Sequence, residues 1–74
     1  MNAYPHRNVI ANIKAAYPPG TRVQLVVMDD PWTKLKPGDT GTVSRVDDIG
    51  TIHVNWDNGS TLGIAYGKDA VRKI

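Results

Sequence analysis

Hydrophobic and polar residues alternate over much of the chain, which predicts short strands. The clearest run is Thr51–Trp56, where apolar residues at every second position occupy one face of an extended segment. Thr21–Met28 has the same period and places Val23, Leu25 and Val27 on one face. Both segments are therefore predicted to be strands that bury one face in a common core.

The N-terminal segment has a helical period instead. Apolar residues between Pro5 and Ala16 fall on one helical face, and Pro18-Pro19-Gly20 ends the pattern because proline cannot donate to the helical ladder. A helix of this length is marginal alone in water, so we expect it to pack on the sheet. Its predicted landing site is the second apolar face of the first strand, formed by Val26 and Met28.

Three further strands are predicted, which makes five. In Thr42–Asp47 the residues Val43 and Val46 are three apart, which predicts a bulge near Ser44-Arg45. Asn58-Gly59 predicts a hairpin in which both residues have positive φ. The other two strands are Thr61–Ile64 and Ala70–Lys73.

The order of these elements predicts a mostly β fold, a five-stranded SH3-like barrel with one N-terminal helix packed on it. A long loop, Asp29–Gly41, follows the first strand, and Leu35 is expected to tuck inward. A turn at Tyr66–Asp69 precedes the last strand. The 74 residues make one domain, with residues 1–18 as N-terminal helix and arm and residues 19–74 as the barrel.

Composition narrows the function classes. The chain has no cysteine and two histidines, so we expect no metal site. It also contains no nucleophile motif and no phosphate-binding loop, so we expect neither an enzyme nor a bound cofactor. Asp29-Asp30 and Asp47-Asp48 lack calcium-loop spacing and favour turn capping, and His53 has no second ligand beside it. No apolar run reaches the roughly 20 residues of a membrane span, so a cytoplasmic protein without membrane contact is expected.

Basic residues concentrate at the two ends of a chain whose net charge is +2 and whose acidic residues are all aspartate. If the termini meet, these side chains form one basic patch for nucleic acid. Ordinary solvated charges are the alternative, and +2 is small for a nucleic-acid domain. The candidate residues are Arg7, Lys14, Arg22, Arg72 and Lys73.

Trp32 is the aromatic residue that the core does not explain. Trp56 continues the inward face of its strand, whereas Trp32 lies in the long loop. There it either lines a groove for an extended peptide or stacks on a base, or it folds over the end of the barrel as an anchor. The hypothesised ligand-binding set is Trp32, Tyr66, Lys34 and Asp30.

Several motifs between Pro19 and Ile74 resemble a small bacterial and phage family catalogued as a domain of unknown function, whose members are often associated with mobile elements. They include Pro19-Gly20-Thr21-Arg22-Val23, Met28-Asp29-Asp30-Pro31 and Trp56-Asp57-Asn58-Gly59-Ser60. The last motif is also similar to the peptide-binding mind-bomb/HERC-type domain of ubiquitin ligases. The segment Pro37–Val43 is similar to the KOW motif, which contacts RNA or protein.

The sequence therefore predicts a non-catalytic binding module for a peptide or protein, in a phage or mobile-element setting, as a monomer or weak homodimer. The alternative is a nucleic-acid-binding accessory protein that uses the basic termini. A third possibility is an oligomeric enzyme similar to plasmid-type dihydrofolate reductase. For that enzyme's Val-Gln-Ile-Tyr strand, Leu62–Tyr66 is a distant counterpart that lacks the glutamine.

Overall fold

In a computed structural model that describes residues 5–74, one helix precedes a single antiparallel sheet. The sheet order is β3-β2-β1-β4. The mostly β class is confirmed, and the first four residues of the predicted arm lie outside the described residues. The elements are α1 (Arg7–Ala16), β1 (Arg22–Val27), β2 (Thr40–Val46), β3 (Ile52–Trp56) and β4 (Ala70–Lys73).

Across residues 5–74 the sheet has four strands and does not close into a barrel, so the prediction of a closed five-stranded barrel is wrong. The predicted strand Thr61–Ile64 is reduced to one bridge between Ile64 and Ile52. The backbone of Leu62 is bonded elsewhere. Its carbonyl accepts from the indole N–H of Trp56 at 2.8 Å, and its N–H donates to a serine hydroxyl at 3.3 Å. Groups held by side chains cannot extend a ladder.

One apolar core lies on the inner face of the sheet. The predicted alternation of β3 is confirmed, and Leu35 tucks inward from the long loop as expected. The buried side chains are Val23, Leu25, Leu35, Val43, Ile52, Val54, Trp56 and Ile64.

Two bulges shape the sheet. The predicted one is confirmed, because the register between β2 and β3 shifts between Val43 and Arg45. The other lies in β1, between Leu25 and Val27, and was not predicted. It breaks the alternation of β1, so Val27 is exposed rather than buried as the sequence predicted.

The hairpin after β3 is present but has a longer loop than predicted. Of residues 57–60 only Gly59 has positive φ, at +92°, so the expectation of positive φ at Asn58 is wrong. The N–H of Gly59 donates to Trp56 C=O, and the N–H of Trp56 donates to Ser60 C=O, both at 2.9 Å. This pattern is typical of a three-residue loop that ends in a left-handed glycine.

The helix α1 packs at a different place from the one predicted. Val26 is exposed, whereas Ile13 and Tyr17, at and after the last turns of the helix, pack against the core. The buried Gly50, with φ of +84°, lies under the start of the N-terminal segment, since a Cβ there would lie 3.1 Å from a Pro5 ring carbon and in ordinary contact, at 3.7 Å, with Ile13 Cδ1. The helix therefore covers the end of the sheet near the turn between β2 and β3, which contains Gly50, rather than the outer side of β1.

We expect Gly41→Ala to lower the free energy of unfolding by about 1–3 kcal/mol, because its Cβ would lie 2.6 Å from Val54 Cγ1 and 2.9 Å from the Asn55 carbonyl oxygen. Urea unfolding measures the loss. Gly63→Ala is the matched comparison, since its Cβ would meet one side-chain methyl closely, that of Thr51 at 2.8 Å, and the nearest backbone atom, the Ile52 carbonyl oxygen, lies 3.6 Å away. A Gly63→Ala loss as large as that of Gly41→Ala would contradict this account.

Candidate functional site

An apolar groove of about 260 Å³ lies along the open seam where β3 and β4 fail to meet. The helix closes one side of it, the bridge to β3 forms a second side, and β4 forms the third. We call it the seam groove. Its principal lining residues are Ile13, Tyr17, Ile52, Ile64, Tyr66 and Val71.

Tyr66 stands at the rim of the seam groove, in a turn held by its own backbone and by Asp69. The carbonyl of Ala65 accepts from the N–H groups of Lys68 and Asp69 at 3.2 and 3.0 Å. One carboxylate oxygen of Asp69 accepts from the N–H of Ala65 at 2.9 Å, and the other accepts from the N–H of Asp29 at 2.8 Å. This carboxylate therefore ties the turn that carries Tyr66 to the start of the loop that carries Trp32.

Trp32 is exposed at 90% and is held in a turn by Asp30, whose carboxylate accepts from the N–H of Trp32 at 2.9 Å. The alternative in which Trp32 folds over the end of the sheet is therefore wrong. Lys34 is also exposed, and within residues 5–74 it forms no ion pair. Of the hypothesised set, only Tyr66 lines the seam groove.

Two of the candidate nucleic-acid residues are paired with carboxylates. Arg22 donates to both oxygens of Asp57 at 2.8 and 2.7 Å, and Thr40 donates to the same carboxylate at 2.6 Å. The hydrogen bond from Arg22, followed by that from Thr40, lowers the pKa of Asp57 well below its usual range. Lys14 contacts Asp48 at 3.0 Å.

The other candidate basic residues lie on different elements. Arg72 donates to the side-chain oxygen of Gln24 on the outer face of the sheet. Lys73 points to the other face, where its Nζ lies 5.5 Å from the centre of the Tyr17 ring. Arg7 begins α1. The positive charges are thus divided between two faces of the sheet and the helix.

Aspartate and histidine side chains support turns in this structure. Asp47 accepts from the N–H groups of Ile49 and Thr51 at 3.1 and 3.0 Å and lies 2.8 Å from Nε2 of His53. Burial opposes ionisation of Asp47, but the hydrogen bonds from His53 and these two N–H groups together lower its pKa. Within residues 5–74, no three histidine or acidic side chains are grouped to hold a metal ion.

Sequence reasoning missed the seam groove itself. The helix packs through Ile13 and Tyr17, but not on the predicted landing site: Val26 is exposed, and Met28 packs against the core itself. A second groove of about 230 Å³, which includes the cationic Lys14 and Arg45, was also missed. Both grooves form between the helix and the sheet, and no local pattern specifies that contact.

A family model described as "Domain of unknown function (DUF4314)" matches residues 6–74. The chain belongs to this family. The matched region begins at the cap of α1, so the helix and the sheet belong to one DUF4314 unit, whereas the sequence resemblance had started at Pro19. Searches among curated proteins and among solved structures gave no match. None of the helices in the described part of this DUF4314 chain is long and apolar enough to cross a membrane.

Asp57→Asn is expected to lower the Tm of the DUF4314 chain by a few degrees at neutral pH, because the ionised partner of Arg22 is lost. Folding lowers the pKa of Asp57. Its contribution is therefore fully present above the unfolded value of about 4 and is lost as the pH falls toward the folded value. The Tm difference from the wild type should shrink below about pH 4.

Thermal unfolding followed from about pH 2 to pH 7 measures this difference. Asp48→Asn is the matched control, since Asp48 makes one contact with Lys14 and its side chain is almost fully exposed. We expect a smaller effect from the control. A Tm difference for Asp57→Asn that stays constant with pH would contradict the assignment.

Asp69→Ala is expected to free the loop that carries Trp32 from the turn that carries Tyr66. The substitution removes the two carboxylate oxygens that accept hydrogen bonds from the N–H groups of Asp29 and Ala65. We expect the free energy of unfolding to fall by about 1–3 kcal/mol. Hydrogen exchange at those two amides should accelerate more than exchange in β2 and β3. Uniform acceleration across the sheet would instead indicate general destabilisation.

Proposed function

We propose that this DUF4314 chain is a non-catalytic binding module for a peptide or protein partner. The observation that carries the proposal is the apolar seam groove with Tyr66 at its rim, beside a loop that exposes Trp32. Aromatic residues are enriched where proteins bind one another, and apolar grooves rimmed by polar residues are typical of peptide sites.

The size of the seam groove favours a peptide side chain over a whole small molecule. Its volume of about 260 Å³ falls below the roughly 300–1,000 Å³ of small-molecule and cofactor sites. One or two apolar side chains fit such a volume, and the rest of an extended partner would lie across the rim. The 52% exposure of Tyr66 supports a role for this residue in contacting that partner.

The exposure of Trp32 supports a second contact. A tryptophan side chain gains free energy when its large apolar surface leaves water, and this gain is not used in the isolated domain. The loop is fixed on both sides of Trp32, by Asp69 at Asp29 and by the buried Leu35. A partner would therefore meet Trp32 on a segment whose two ends are already ordered, which lowers the entropy lost on binding.

The contacts of the basic residues favour a peptide over nucleic acid. Arg22 and Lys14 are each paired with an aspartate, so binding phosphates would require these pairs to be broken. The bacterial or phage setting and the cytoplasmic location remain parts of the proposal that derive from the sequence alone.

We also infer that the fold is an opened relative of the SH3-like barrel. The order β3-β2-β1-β4 supports this inference, with the bridge at Ile64 in the position of the missing strand.

Trp32→Ala and Tyr66→Ala are each expected to weaken peptide binding about tenfold, because each removes an aromatic contact. A library of random peptides displayed on phage, selected on the full chain, supplies the probes, and fluorescence anisotropy measures their affinity. Trp32→Phe and Tyr66→Phe are the matched controls, since both keep an aromatic ring, and circular dichroism checks the fold. If no peptide is enriched, or if both alanine variants bind as the wild type does, the proposal is wrong.

A further inference from the structure

The outer edge of β4 is unpaired among residues 5–74. β4 is the last strand of the sheet and pairs with β1 on one side only. β3, at the other end of the sheet, does not reach it across the seam groove. An unpaired edge is a row of backbone donors and acceptors that can bind a further strand.

The register identifies which backbone groups point outward. The N–H of Ile74 donates to the carbonyl of Arg22 at 3.2 Å, and Arg72 is paired with Gln24 in the same register. In an antiparallel pair the bonded positions alternate, so the backbone groups of Arg72 and Ile74 face β1. Those of Val71 and Lys73 face away from the sheet.

The side chain of Val71 connects this edge to the seam groove, because it lines the groove and packs against the core. A strand added beside β4 would lie about 4.8 Å away. Every second side chain of that strand would point to the same face as Val71 and would enter the groove. The intervening side chains would point to the face that carries Arg72.

The charge at this edge is positive. Lys68, Arg72 and Lys73 are all exposed, on β4 or in the turn before it. The acidic residue beside them is Asp69, whose carboxylate already accepts two backbone N–H groups. Of the basic residues, Arg72 lies on the face to which the intervening side chains of an added strand would point, whereas Lys73 lies on the groove face. A partner strand with acidic residues between its apolar ones therefore complements Arg72. A second copy of β4 would instead bring like charges together, which disfavours pairing between two copies.

We propose that the free edge of β4 binds an extended peptide of alternating apolar and acidic residues by strand addition. The outward backbone groups of Val71 and Lys73 bond to the peptide, and its apolar side chains enter the seam groove. The inference rests on the proposed function and adds the chemistry of the partner and its mode of binding.

Lys73→Pro and Lys73→Ala form a matched pair that tests strand addition. Proline removes an N–H that faces away from β1, so it should block the added strand and leave the ladder to β1 intact. Alanine removes the same charge and keeps the N–H. The probes are a synthetic peptide of alternating valine and glutamate, its counterpart of valine and lysine, and the peptides enriched from the displayed library.

We expect Lys73→Pro to bind the valine–glutamate peptide at least about tenfold more weakly than Lys73→Ala does. The valine–lysine peptide should bind the wild type more weakly by a similar factor. Hydrogen exchange followed by NMR should show the amides of Val71 and Lys73 protected when the valine–glutamate peptide is bound.

Equal binding by the two Lys73 variants, with both amides unprotected, would overturn strand addition while enriched library peptides still supported the proposed function. Absence of any enriched peptide would overturn both. A preference for the valine–lysine peptide would overturn the acidic partner. A concentration-dependent dimer that Lys73→Pro abolishes, measured by analytical ultracentrifugation, would make a second copy the occupant and overturn the peptide.

Discussion

The main constraint on this structure is that its two outer strands, β3 and β4, do not pair, so the sheet alone does not enclose the apolar core. A chain of this length buries little surface, so each apolar contact is a large part of its stability. The bridge at Ile64 extends the sheet by only one pair, and Ile13 and Tyr17 of the N-terminal segment cover what remains. No residue of α1 is fully buried, yet without the helix this part of the core would face water.

The same opening produces the features from which recognition is inferred. Because β3 and β4 stay apart, an apolar groove lies between them, and no other strand within residues 5–74 pairs with the outer edge of β4. A closed barrel would satisfy those backbone groups internally and would fill the groove with a strand. Binding of a partner and completion of the sheet are, in this proposal, one physical event.

Hydrogen bonds and ion pairs within the domain determine which polar side chains remain for contact with a partner. Asp30, Asp47 and Asp69 bind backbone N–H groups at turns, which orders the loops and commits their carboxylates. On the outer face of β1, Arg22 and Asp57 neutralise each other's charge in an ion pair. In the proposal, the exposed Trp32 on an ordered loop and the positive edge at β4 are the features that a partner contacts.

Local patterns determined the strands whose residues alternate cleanly, the bulge after Val43 and the inward position of Leu35, because periodicity and steric preference act over a few residues. Tertiary structure decided the rest. A bulge in β1 turned Val27 outward. The Leu62 carbonyl accepts from the Trp56 indole and the Leu62 N–H donates to the Ser60 hydroxyl, which takes the backbone of Leu62 out of the ladder. The sequence pattern predicted that the helix has an apolar face, but not which part of the sheet this face contacts, because such a face can pack against any exposed apolar surface. The groove is lined by segments that are distant in the sequence, and the free edge follows from the order of the strands in the sheet. Local sequence patterns determine neither of these features, so the sequence alone did not predict them.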